Sequence, residues 1–240
     1  MIAQEKKWLK LFLKRHPNIA VKNTEVISKA RAAVSKKMIR NWFQELNNYL
    51  REEHESDILQ NPSRIFNAYE TRMLFCPKTG KPLGPKAYKN FYNISSGQEK
   101  QCITVLCNFS ASGQSVDPMI VFPYKRIPRH IADSVPDGFA VGRSDSGWMT
   151  SAIFYEYVAN VFYHWLLDKN IHFPVLLLLD GHKSHINEKL YNFCVEKRIL
   201  TFCLLPNATN IILPCNVAIF RPLKCQWRNV DRKQLTIISF

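Results

Sequence analysis

Five consecutive apolar residues, Val175 to Leu179, run directly into a carboxylate, Asp180, and then into the polar stretch Gly-His-Lys-Ser-His. An apolar run of that length, bounded by Pro174 and Gly181, suits a strand buried on both faces. An acid released at the C-terminal end of such a strand sits where α/β sheets place their chemistry. Asp-Gly is also a common turn pair, so the run alone leaves a plain turn aspartate equally open.

The elements around this run decide between the two. Arg64–Tyr69, Gln101–Phe109 and Asp117–Phe122 read as strands, with a long loop, Cys76–Lys100, between the first two and a second, Pro123–Gly147, after the third. The second loop carries Lys125, Arg126, Arg129 and His130. A helix is predicted from about Ser151 to Lys169, where Phe154, Tyr157, Val158, Val161, Phe162, Trp165 and Leu166 keep i, i+3/i+4 spacing. After the buried strand come a helix at 187–197, a strand at Thr201–Leu205 and a helix from about Asn216 to Lys233. The order β-β-β-α-β-α-β-α predicts an α/β fold, a mixed five-stranded sheet with helices on both faces. No G-x-G-x-x-G, Walker loop or G-x-S-x-G is present, so nucleotide-binding and hydrolase-elbow readings lose their main support.

Charge adds a second constraint. The net charge of +14 over 240 residues favours a polyanionic partner, with nucleic acid ahead of a membrane surface. Residues 1–51 hold twelve Lys and Arg against Glu5, Glu25 and Glu45, a net of +9, and read as a small all-helical basic arm. Lys7, Lys10 and Lys14 share one face of its first helix, Trp8, Leu11 and Phe12 cover another, and His16-Pro17 ends it. The phosphate-binding candidates are Lys6, Lys7, Lys10, Lys14, Arg15, Lys36, Lys37 and Arg40. Residues 52–63, opening on the acidic Glu52–Asp57, read as a linker, and 64–240 as the sheet domain, with its C-terminus expected to be truncated. Seven scattered cysteines without a C-x-x-C pair fit reduced thiols and argue against a zinc finger. With no signal peptide pattern and no apolar run near ~20 residues, a soluble intracellular protein is expected.

Several stretches resemble the DDE transposases of the pogo/Tigger/Jerky group, whose domain has a ribonuclease-H-like fold. They are RIFNAYET (64–71), GWMT (147–150), VLLLLDGHKSH (175–185), LLPNAT (204–209) and PCNVAIFRPLK (214–224). Trp8–Pro17 is similar to the last helix of the centromere-protein-B-type helix-turn-helix that precedes such domains, and its scaffold helices are expected to be missing. The resemblance implies DNA as partner, the nucleus as location, and three acids holding two Mg2+ or Mn2+ ions for strand cleavage and joining.

Of those three acids the resemblance carries over only the second, Asp180. The first position is occupied by Tyr69 and the third by Asn216. A phenol has an ordinary pKa near 10 and is a poor magnesium ligand at neutral pH, and an amide brings no charge. Glu70 is the nearest substitute acid, but alternation along a strand turns it to the other face. The expectation is therefore a degenerate domain without cofactor, DNA-binding but catalytically inactive. Its rivals are a residual endonuclease using Asp180 with Glu70, and a decayed element without a selected function. His182 and His185 could join Asp180 in a transition-metal cluster, but no further Cys or His stands at ligand spacing. A turn capped by Ser184 or Asn187 is the preferred reading, with His185 still able to line the cleft.

Overall fold

The computed structural model describes residues 2–21, 28–74, 91–93, 102–181, 187–212, 219–220, 222–227 and 237–239. They divide into two compact units, Met1–Val34 and Ser35–Phe240. The first contains α1 (Ile2–Arg15) and the short α2 (Lys29–Ala32), capped by Ser28. Along α1 the rings of Trp8 and Phe12 stack at 5.2 Å, and Phe12 meets His16 at 4.5 Å, the i, i+4 contact expected on one helix face. Lys7, Lys10, Lys14 and Arg15 are exposed.

The second unit opens with α3 (Lys36–Glu52), whose N-cap Ser35 accepts a hydrogen bond from the Met38 amide. Its strands are β1 (Ile65–Leu74), β2 (Phe91–Asn93), β3 (Cys102–Ser110), β4 (Ser115–Phe122), β5 (Ala140–Arg143), β6 (Val175–Leu179), β7 (Ile199–Cys203) and β8 (Ile237–Ser239), with the one-turn helix α4 (Arg129–Ala132) between β4 and β5. Among the described residues six of these form one sheet in the order β5-β4-β3-β1-β6-β7, while β2 pairs with β8. Only β3 runs antiparallel to its sheet neighbours, so β1, β4, β5, β6 and β7 all end at the same end of the sheet.

Alternation along β1 and β6 sorts the core into two layers. Phe66, Ala68, Leu177 and Leu179 face α5 (Ser151–Tyr157) and α6 (Tyr163–Asp168), which a π turn at Val158–Phe162 joins into one helix. The helix α7 (Glu188–Glu196) packs on the same side through Leu190 and Cys194. Ile65, Leu176 and Leu178 face the other way, against Trp42, Leu46 and Leu50 of α3. A strand buried on both faces is what the run Val175–Leu179 predicted.

Three expectations change. The sheet has six strands rather than five, because β5 forms inside the stretch read as a loop. Four residues carry too little pattern to declare a strand, and β5 exists through its pairing with β4, from Met119↔Ala140 to Phe122↔Arg143. The unit boundary falls before α3 rather than after residue 51, since Trp42, Leu46 and Leu50 are part of the sheet's core. Residues 52–63 are no free linker either. Ile58 is fully buried in that core, and Glu55 and Asp57 both pair with Arg64. Of the helix expected at Asn216–Lys233, residues 222–227 are helical and most of the remainder lies outside the described residues.

Candidate active site

Parallel pairing of β1 with β6 sets Ile65 beside Leu176, Phe66 beside Leu177 and Asn67 beside Leu178. Asn67 reinforces this register, its Nδ2 donating to the Leu178 carbonyl at 3.0 Å. Continuing the register by two residues on each strand brings Tyr69 abreast of Asp180, at the end where five strands terminate. Tyr69 lies on the α3 side of the sheet, half-buried, its ring 5.7 Å from that of Phe220. Asp180 is half-buried as well.

Cys203 ends β7, opposite Leu179. Burial first, and the negative charge of Asp180 second, push its thiol above the ordinary range. The Cys203 carbonyl accepts from Trp42 Nε1 at 2.9 Å, which pins the first turns of α3 to this end of the sheet. Lys36, Lys37 and Arg40 precede Trp42 on α3 and are exposed, so the fold carries them to Asp180's end. Lys7, Lys10, Lys14 and Arg15 belong to the other unit, and for Lys6 only the helical backbone is described.

Glu70 stands opposite Leu106, whose side chain lies in the layer under α5 and α6. It therefore leaves β1 on the face away from Tyr69. Asn216, His182 and His185 lie outside the described residues. Asn187 caps α7, its Oδ1 accepting from the Leu190 amide at 2.8 Å.

The donor chemistry at Tyr69 and Asp180 is one phenol and one carboxylate. Among the described residues no three His, Cys, Asp or Glu side chains gather as a metal-binding group. A cavity of about 470 Å3 is lined by Asn67 and Ser110, but its other walls (Trp42, Ile65, Phe109, Leu178, Leu204, Ile212) are apolar and it offers an ion no charged donor. Two divalent ions need several converging carboxylates, and the described donor set does not fit them.

Sequence reasoning passed over Asn67 and Cys203. Asn67 had a signal, being two residues before Tyr69 and so on its face of the strand. Cys203 had none, because its place depends on the pairing of β6 with β7.

Comparison with known proteins gives the architecture its relatives. The family described as DDE superfamily endonuclease matches residues 99–236, more than half of the chain and including Asp180. The Mos1 transposase paired-end complex with left transposon end shares the fold, with a TM-score of 0.55 and 12% identity. That superposition covers 92% of this chain and 56% of the transposase chain. The Mos1 mariner paired end complex with Mn gives a TM-score of 0.54 at 11% identity, over 92% and 57% of the two chains. The chain is also 27% identical over 128 residues to the MFS-type transporter clz9 of Cochliobolus lunatus, 53% of this chain and 14% of that protein. It thus spans a small part of that curated relative and little more than half of the solved transposase chains. No helix of the described residues is long and apolar enough to cross a membrane.

Proposed function

This chain belongs to the DDE superfamily endonucleases, and from that premise we propose that it is a transposase-derived, DNA-binding nuclear protein of the pogo/Tigger/Jerky type whose cleavage centre is inactive. The observation that carries this reading is the partner of Asp180. Where two-metal chemistry calls for a second carboxylate, Tyr69 brings an aromatic ring packed near Phe220. At an effective dielectric of ~20, one unit charge pair at ~4 Å is worth about 4 kcal/mol, and a divalent ion roughly doubles that. Replacing a carboxylate by a phenol, and another by the amide of Asn216, removes several kcal/mol from metal binding. Mg2+ and Mn2+ are then cofactors of active relatives and not of this chain.

Charge supports the DNA-binding part. The total of +14 includes exposed lysines and arginines along α1 and at the start of α3. Contacts of this kind are made to phosphates and are sequence-tolerant, and affinity should fall with log salt at a slope of about −0.9 per phosphate neutralised.

Purified full-length chain incubated with supercoiled DNA and Mg2+ or Mn2+ is expected to leave it intact, while binding duplex DNA at low ionic strength. Metal-dependent nicking that disappears in Asp180→Ala would overturn the inactive reading and favour the residual endonuclease. The double variant Tyr69→Asp/Asn216→Asp is expected to gain a Mn2+-induced rise in melting temperature that the wild type lacks. No affinity for duplex even at low salt would sink the DNA-binding part.

A further inference from the structure

We propose that Trp148 and Arg72 form a stacking site for an unpaired base of single-stranded DNA, beside the end of the sheet that carries Asp180. This rests on the DNA-binding reading above and gives it a second, chemically different contact. Trp148 is 49% exposed, a large aromatic surface to leave in water. Its backbone is nevertheless held firmly. Gly147 before it is buried with φ +72°, and a Cβ there would collide with the Cys102 carbonyl oxygen, so only glycine fits. Thr104 Oγ1 donates to the Gly147 carbonyl at 2.7 Å, and Ser144 Oγ to the Trp148 carbonyl at 2.8 Å. Met149 after it is buried in the core, and Thr150 caps α5. The fold thus fixes the residues on both sides and presents the indole to solvent.

The guanidinium of Arg72 lies 4.0 Å from the centre of that indole. Arg72 is exposed, and no carboxylate among the described residues pairs with it, so its charge is open to an anion. It leaves β1 three residues beyond Tyr69 on the opposite face, ~10 Å further along the strand. An indole with a planar cation over one face matches one kind of ligand well: a base stacked on its other face, with the phosphate reaching the guanidinium. Duplex DNA keeps its bases stacked inside and cannot use the indole, whereas a frayed or single-stranded end can. Exposed Lys125, Arg126 and Arg143 follow β4 and end β5 at the same end of the sheet, and with Arg72 they outnumber Asp145 in the Trp148 loop and Glu70, two residues before Arg72 on its face of β1. The local field therefore favours a polyanion.

The test measures affinity of the full chain for a blunt duplex and for the same duplex bearing a single-stranded overhang. The wild type should prefer the overhang. Trp148→Ala should lose roughly 5- to 100-fold on the overhang substrate, the range typical of one stacked base, with blunt-duplex affinity unchanged. Trp148→Phe should retain most of the preference, and Arg72→Ala should reduce it. The cooperative melt of each variant confirms that it is folded. An unchanged preference in Trp148→Ala, or an equal loss on both substrates, would overturn the stacking site while leaving duplex binding standing. If the wild type bound neither substrate, the DNA-binding reading would fall and this site with it.

Discussion

The two ends of the β1–β6 pair handle charge in opposite ways. At the N-terminal end Arg64, only 4% exposed, is completely provided for. Its Nε donates to the Pro174 carbonyl at 2.8 Å, and its two Nη atoms reach Asp57 at 2.6 Å and Glu55 at 3.3 Å. Glu55 is shared with Arg198 at 3.1 Å. Five residues further along the sheet, the carboxylate of Asp180 stands abreast of a phenol. Fold stability requires the first arrangement, since a buried guanidinium without partners costs several kcal/mol. Nothing in the sheet's packing requires a second acid beside Asp180, because Tyr69 fills its place with apolar contact to Phe220 and the α3 layer. A position that packing does not restrict to an acid can hold such a residue without harm to the fold, whereas Arg64 is not free to change.

The largest expected effect breaks the supporting end. Arg64→Ala should destabilise the protein by about 3–5 kcal/mol in a denaturant titration, since it strips Glu55 of a partner and leaves the Pro174 carbonyl unsatisfied. The Asp57 share of that loss is small, because its carboxylate is largely exposed and screened. A cost below ~1 kcal/mol would remove the contrast between the ends.

A smaller effect concerns a buried thiol. Cys194 of α7 lines a recess with Glu55, Pro174 and Arg198, near Arg64, and burial pushes it from 9.0 up to about 12. A folded pKa above the unfolded one means that the native state holds its proton longer. The resulting stability is fully present below pH 9 and is lost as pH rises toward 12, at up to ~1.4 kcal/mol per pH unit. Wild-type stability should therefore fall between pH 9 and 10, and Cys194→Ala should show a shallower slope there. Tyr157, held well above its usual 10 by burial, loses its contribution only beyond that range.

These contrasts were unequally legible in the chain itself. The buried strand at Val175–Leu179, the helix over 151–168 and the alternation that separates Tyr69 from Glu70 are local patterns, and local patterns can be read. Residue Asn187 as a helix cap belongs with them. The bracing of Arg64 was hidden, because an acidic stretch such as Glu52–Asp57 has the composition of a linker until its partner is known. The short β5 and the fixed loop around Trp148 depend on pairing and close approach to β3 and β4, which no single stretch declares. Resemblance of motifs supplied the expected site positions, and the first of them, Tyr69, lies outside the residues 99–236 that the family match covers.

Cys203 offers the finest test of the other end. Its thiol is raised by burial and then by the charge of Asp180, so Asp180→Asn should remove the second cause and leave the first. The thiolate fraction at pH 8 should then increase, and alkylation by neutral iodoacetamide, followed at the Cys203 peptide, should quicken about 2- to 5-fold. Asp180→Glu should restore the slow rate. The same reaction tells a carboxylate without metal from one that holds an ion. A bound Mn2+ would cancel the charge of Asp180 and accelerate alkylation of the wild type much as Asn does, while a site without affinity for the ion leaves the rate where it was. An unchanged rate with Mn2+ in the wild type, together with faster alkylation in Asp180→Asn, is the result expected of a carboxylate that binds no metal. Acceleration by Mn2+ would mean that the residues around Asp180 still bind metal, and the contrast between the two ends would be one of degree.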